Sequence, residues 1–249
     1  MDKKLNDIVA VRKSPADLDF VSTEAYNVLR TNLAFSFPGQ SSARVIGLTS
    51  SNPSEGKSYN SVNMAFFIAK GGKKTLLVSA DLRRPSIEKS FDLKSGTGLS
   101  DLLAGNTSNV SEAIIPEFLT ENLSLMPYGV IPPNPSELLA SERMQQLMEM
   151  LREMYDYIIV DLPPINSVID AVAVSPCLDG IVMIVRHGYT RKKNLYAAVS
   201  QLRYSGVRVL GFVYNDYRVH SSGYGYKKYQ YKYYHSSHSG KSHDSKEKK

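Results

Sequence analysis

The sequence predicts an α/β protein built on a doubly wound, mostly parallel sheet. Three observations carry that prediction. From about residue 44 onward, short β-branched runs alternate with helix-length segments. The runs are nearly all apolar instead of alternating, as expected where helices cover both faces of a sheet. The first run leads through a short loop of small and polar residues straight into a helix candidate. Strands are predicted at Arg44–Thr49, Lys74–Val78, Tyr157–Asp161, Gly180–Arg186 and Arg208–Tyr214, with a further short one at Leu123–Met126. Helices are predicted over 57–70, 135–154 and 190–204, which gives repeated βαβ units. Ahead of the sheet, Ser22–Ser36 places Ala25, Val28, Leu29 and Leu33 on one helical face, with Ser22 or Thr23 as cap.

The chain of 249 residues is 42% hydrophobic and 22% charged, ordinary for a globular protein. A single cysteine, Cys177, excludes an internal disulfide framework and suits a reducing compartment; packed and inert is its expected state. The first residues have mixed charges and no apolar core, so a secretory leader is not expected. No run approaches the length of a membrane span. The expected location is the cytoplasm. Residues 218–249 hold eight Lys or Arg against two acids, which accounts for the whole net charge of +6. The body is therefore neutral, and its surface gives no sign of a polyanionic partner. The expected division is an assembly segment and helix over 1–40, a nucleotide-binding domain over 41–217 and a disordered tail over 218–249.

The loop after the first strand reads Ser50-Ser51-Asn52-Pro53-Ser54-Glu55-Gly56-Lys57-Ser58. Strand, loop and helix in that order form a P-loop, because backbone N–H groups and a helix N-terminus must surround phosphate oxygens. Pro53, Ser54, Glu55, Gly56, Lys57, Ser58 and Tyr59 are the expected nucleotide cradle. Lys57 is the charge for the outer phosphates and Ser58 a ligand for Mg²⁺. Ser51 stands where the motif ordinarily begins with glycine. Asp81, just past the second strand, and Asp161, ending the apolar run Tyr157–Val160, are the expected metal-organising acids. Together these define a P-loop NTPase with deviant Walker motifs, and ATP and Mg²⁺ are the expected cofactors. Arg83 is a candidate for phosphate or acceptor, with a surface salt bridge as its equal alternative. Asp170 and Asp179 fit capping and turn roles.

These residues resemble the bacterial tyrosine kinases of capsule and exopolysaccharide synthesis. The resemblance runs over nearly the whole chain. It includes Glu24-Ala25-Tyr26-Asn27-Val28-Leu29-Arg30, the P-loop, Ala80–Pro85 (A-D-L-R-R-P), 98–103 (G-L-S-D-L-L), 132–141 (P-P-N-P-S-E-L-L-A-S) and the acid-ended strand at Asp161. It implies that Lys57 and Ser58 serve phosphate and metal and that Asp81 and Asp161 organise the metal. It also implies a ring-like homo-oligomer using Glu24 and Arg30, and a membrane-bound activator or chain-length determinant that recruits the kinase to the inner membrane face. A tyrosine phosphatase would be the opposing partner, and no nucleic acid is expected. Three positions depart from the family pattern. Ser79 replaces an acid, Ser54 replaces a glycine, and Asn27 replaces an arginine of the assembly helix.

Tyr224, Tyr226, Tyr229, Tyr231, Tyr233 and Tyr234 lie among lysines in the tail. An extended segment of this kind suits phosphorylation, each event adding about −1.5 to −2 charge. Single-stranded nucleic-acid binding through stacking, and a merely solubilising role, are the competing readings. The tail histidines lack metal-ligand spacing. The expected activity is autophosphorylation of this cluster in trans. A catalytically weak nucleotide-binding scaffold and a partitioning-type ATPase are the alternatives.

Overall fold

The computed structural model describes residues 14–39, 42–94 and 96–216. Its centre is a six-stranded, wholly parallel sheet of β1 (Arg44–Ser50), β2 (Thr75–Ser79), β3 (Leu123–Met126), β4 (Tyr157–Asp161), β5 (Gly180–Arg186) and β6 (Val209–Asn215). The strand order is β3-β2-β4-β1-β5-β6, so the chain leaves β1 in one direction for β2 and β3 and later crosses back. The helices are α1 (Phe20–Phe35), α2 (Lys57–Lys70), α3 (Ile87–Ser90), α4 (Leu99–Ala104), α5 (Pro135–Leu139), α6 (Glu142–Met154), α7 (Asp170–Ala173) and α8 (Lys192–Tyr204).

The two core layers explain the continuous apolar runs. Leu77, Ile46, Leu48, Ile159, Val182 and Ile184 pack under α1, α2 and α3. Their strand neighbours Leu76, Val78, Val45, Ile158, Val160 and Met183 point the other way, under α4 to α8. Residues of the inner strands therefore meet an apolar layer whichever way they face, whereas the edge strand β6 leaves Phe212 and Tyr214 exposed. Gly47 in β1 is required by close approach, since a Cβ there would lie 2.8–3.1 Å from Leu178, Leu162 and Ile181.

The predicted elements hold, with three differences. The segment expected as one helix over 135–154 is two, because Ser141 ends α5's run and caps α6, accepting from the Met144 N–H at 3.3 Å. The cap of α1 is Asp19, not Ser22 or Thr23; its carboxylate accepts from the Ser22 N–H at 2.7 Å. The buried face of α1 is Tyr26, Leu29 and Leu33, while Ala25 and Val28 face solvent. The aromatic ring decides the rotation: Tyr26 stacks on Phe67 of α2 at 5.3 Å, which turns Val28 outward. No helix among the described residues is long and apolar enough to cross a membrane. The tail tyrosines, Tyr224 to Tyr234, lie outside the described residues.

Candidate nucleotide and metal site

The site sits at the carboxyl ends of β1, β2 and β4, where open α/β sheets bind ligands. β1 ends at Ser50 and the chain turns through residues 51–56 before α2 begins at Lys57. The turn needs two left-handed residues, Ser54 at φ 63° and Gly56 at φ 91°. At Gly56 a Cβ would run into the side-chain amide of Asn215, so only glycine fits. Ser54 has no such freedom, and its conformation is held by Arg186, whose guanidinium donates to the Ser54 carbonyl at 3.0 Å.

Four predicted residues converge at the mouth of α2. Lys57 Nζ lies 2.8 Å from Asp81 Oδ2 and 3.6 Å from Asp161 Oδ2. The Ser58 hydroxyl donates to Asp161 Oδ2 at 2.6 Å, and the Ser61 hydroxyl donates to Oδ1 at 3.0 Å. Asp81 Oδ1 accepts from the Arg84 N–H at 3.0 Å. Burial opposes the Lys57 charge, yet Asp161 and Asp81 outweigh it and hold the ammonium above the usual lysine range. Burial pushes the Asp161 carboxyl up, against Lys57, Ser58 and Ser61, which all favour the anion. Lysine and carboxylate thus pull on each other in opposite senses. Two hydroxyls donate to Asp161 and the Lys57 ammonium stands 3.6 Å away, and all three favour its anion against burial. In this state Lys57 occupies the place of a cation between two acids.

A cleft of about 560 Å³ opens over this cluster, lined by Pro53, Ser54, Gly56, Lys57, Ser58 and Tyr59 from the P-loop side. Asp81, Arg83 and Arg84 line it from the loop after β2. Glu55 is different. It is wholly buried, and its carboxylate turns away to accept from the Asn52 N–H at 3.2 Å, the Asn52 amide at 3.0 Å and the Thr190 hydroxyl at 2.8 Å. Its side chain braces the loop from behind, away from the cleft. Arg83 is fixed by its own chain, with Nε and Nη2 donating to Asp170 at 2.9 and 3.0 Å and Nη2 also to Ser136 at 2.8 Å. Of the two roles weighed for Arg83, the ion pair is the one the geometry realises. Asp170, expected as a cap, is its fully buried partner. Asp179 likewise does more than close a turn, accepting from Arg152 and from the Val45 N–H. Cys177 is buried, and burial pushes its thiol up.

Glu24 and Arg30, the expected assembly residues, are engaged within the chain. Glu24 accepts from Asn27 at 2.9 Å, and Arg30 donates to the Phe67 carbonyl of α2 at 3.1 Å. A buried link continues to the P-loop. The Tyr26 hydroxyl donates to Asn60, and Asn60 donates to the Gly56 carbonyl. Sequence reasoning missed the far side of the cradle. Asn215 donates to the Glu55 carbonyl at 2.9 Å, and Asn194 to Asn52 at 3.0 Å. With Arg186 and Thr190 these come from the ends of β5 and β6, the loop after β5 and α8, more than a hundred residues downstream, and no local pattern marks them.

A glycine-turned phosphate cradle opening a helix, with a lysine between acids at the ends of two parallel strands, defines a P-loop NTPase. A family model described as an AAA domain matches residues 43–203. Tyrosine-protein kinase CpsD of Streptococcus pneumoniae is 36% identical over 211 residues, covering 84% of this chain and 91% of that protein. Tyrosine-protein kinase ptk of Acinetobacter johnsonii is 35% identical over 89% of this chain, which spans only 29% of that protein's length. The kinase domain of Escherichia coli tyrosine kinase ETK superposes with a TM-score of 0.74 at 32% identity, covering 82% of this chain and 80% of that domain. The chain belongs to the bacterial tyrosine-protein kinases.

Proposed function

We propose that this protein is an ATP-dependent protein-tyrosine kinase that phosphorylates the tyrosine cluster of its own tail, Tyr224 to Tyr234, in trans. The observation that supports it most is Lys57 and Ser58 meeting Asp81 and Asp161 at the head of α2, in a chain of this family. The backbone N–H groups of residues 54–58 and the N-terminus of α2 receive the phosphates. Lys57 leaves Asp81 to meet the outer phosphates. Ser58, Asp161 and Asp81 are hard oxygen donors and fit Mg²⁺, which takes few protein ligands beside substrate phosphates. When bound, the ion neutralises charge developing on the transferring phosphate. The protein's own contribution is positioning. It aligns the phosphates along α2 and excludes water from the buried acid pair, and the acceptor tyrosine hydroxyl must approach in line.

The wider reading is that the kinase serves capsular or exopolysaccharide synthesis from the cytoplasmic face of the membrane. It is recruited there by a membrane-bound activator, assembles as a ring-like homo-oligomer through Glu24 and Arg30, and is reset by a tyrosine phosphatase. Mass spectrometry of tail peptides after incubation with Mg-ATP and the activator's cytoplasmic segment, beside Lys57→Met, tests the activity. Phosphotyrosine that depends on Lys57 is the expected result. An unmodified tail in protein that still binds ATP overturns it in favour of a nucleotide-gated scaffold, the reading that Ser79 at the end of β2 favours.

A further inference from the structure

Glu88, on α3, is a buried carboxylate beside the site that the reading above does not use. It is 5% exposed and has no ion pair among the described residues. Its Oε1 accepts from the Tyr128 N–H at 3.1 Å. Its Oε2 is buried without a hydrogen-bond partner of good geometry, and so is the hydroxyl of Ser79. The two groups are neighbours. Burial pushes the Glu88 carboxyl up, its own backbone, the Ser79 hydroxyl and the Tyr128 amide oppose that, and the charge of Asp161 reaches it as well.

Topology places this pair against the metal acids. Ser79 is the partner of Asp161 in the β2–β4 ladder, and the Ala80 N–H donates to the Asp161 carbonyl at 3.0 Å. Residues paired across neighbouring parallel strands project from the same face. Leu77, two residues before Ser79, lies in the layer under α2, as does Ile159, two before Asp161. The Ser79 hydroxyl and the Asp161 carboxylate therefore share the α2 face, and Glu88 reaches that face from α3. Two adjacent buried polar atoms without partners require a reason in a folded protein. A hydroxyl proton turned toward a carboxylate oxygen is the simplest closure of both.

We propose that Glu88 is a positioning residue of the phosphate site. Acting through the Ser79 hydroxyl, it brings from α3 the negative charge that the end of β2 lacks, and so strengthens the hold of Asp161 and Ser58 on a divalent cation. Glu88 touches no reacting atom; it polarises and orients the groups that do. Once Lys57 turns to the phosphates, Asp81 and Asp161 lose their positive neighbour, and a third carboxylate behind them favours a doubly charged ion. Outer partners of this kind change metal affinity by roughly ten- to a hundredfold.

The inference rests on the cleft being a Mg-nucleotide site, and the test separates the two. Binding of Mn²⁺ by the full chain with ADP present is followed by the electron paramagnetic resonance of the free ion. Wild type, Glu88→Gln, Ser79→Asp and the double variant are compared. Glu88→Gln keeps the acceptor for Tyr128 and removes the charge; Mn²⁺ affinity is expected to fall about tenfold. Metal-free ADP affinity should not change. Ser79→Asp in the Glu88→Gln background restores Mn²⁺ affinity to within about threefold of wild type, while Ser79→Asp alone gives no gain because two carboxylates then crowd one place. A folded Glu88→Gln protein that binds Mn²⁺ within about twofold of wild type overturns the inference, as does a folded double variant without recovery. Should Glu88→Gln not fold, Glu88→Asp carries the same readout, with a several-fold loss expected and an unchanged affinity decisive against. Wild type that binds neither ADP nor Mn²⁺ overturns the nucleotide-site reading itself.

Discussion

Replacing Arg83 with alanine tests how the site's rim is held. Arg83 donates twice to Asp170, and the Ser136 hydroxyl adds a third bond to Asp170 Oδ1 at 2.7 Å. Asp170 is fully buried, whereas the Arg83 side chain is 38% exposed. Breaking a buried pair from one side costs about 3–5 kcal/mol, because the remaining charge is stranded. Solvent reaches the arginine and Ser136 stays on the carboxylate, so the lower part of that range, discounted to about 2–3 kcal/mol, is expected. For a domain of this size that is a melting temperature lower by roughly 5–10 °C. Thermal and urea unfolding of Arg83→Ala, Asp170→Asn and the double variant measure it. The double variant should recover more than about half of the Arg83→Ala loss, since no charge is then left unpaired. An Arg83→Ala protein as stable as wild type but unable to transfer phosphate would refute the reasoning and place Arg83 on substrate.

Ser54→Gly relieves a left-handed serine worth about 1–2 kcal/mol and returns part of that as chain entropy, so a gain near 0.5 kcal/mol in urea unfolding is expected; a loss counts against strain at φ 63°. Gly56→Ala drives a Cβ into Asn215 and breaks its bond to the Glu55 carbonyl, at a cost of about 2–3 kcal/mol and of nucleotide binding. Adding Asn215→Ala should recover part of that stability, and no recovery would remove Asn215 as the cause. Glu88 has a pKa raised above its unfolded value of 4.5, chiefly by burial. Below that value both states are protonated and the fold bears no penalty; as pH rises through the folded pKa, stability falls. Glu88→Gln should therefore gain on wild type between pH 4.5 and neutrality in parallel urea titrations, and a constant difference across that range would disprove the buried anion.

The sequence by itself determined the parallel sheet and the heart of the site. Both are written in short windows: apolar runs where both strand faces are covered, and a strand–loop–helix carrying Lys57 and Ser58, with Asp161 ending one strand and Asp81 just past another. Their meeting follows from topology, because β1, β2 and β4 are parallel neighbours whose carboxyl ends coincide. The length of the helix after residue 135 and the rotation of α1 escaped local reading, since a serine cap and one stacked tyrosine outweigh the periodicity. Only the tertiary structure decided what surrounds the site. Arg83 could be given a partner, phosphate or acid, only once Ser136 and Asp170 were brought to it from two other segments. Glu55 reads as part of the cradle in one dimension and becomes its rear brace when Thr190 arrives from the loop before α8 and Asn215 from the end of β6. Glu88 looks like an ordinary helix acid until folding buries it beside Ser79. Main-chain geometry and apolar periodicity are local properties of the chain, whereas the pairing of charges across the fold depends on which distant side chain arrives and how far water is shut out with it.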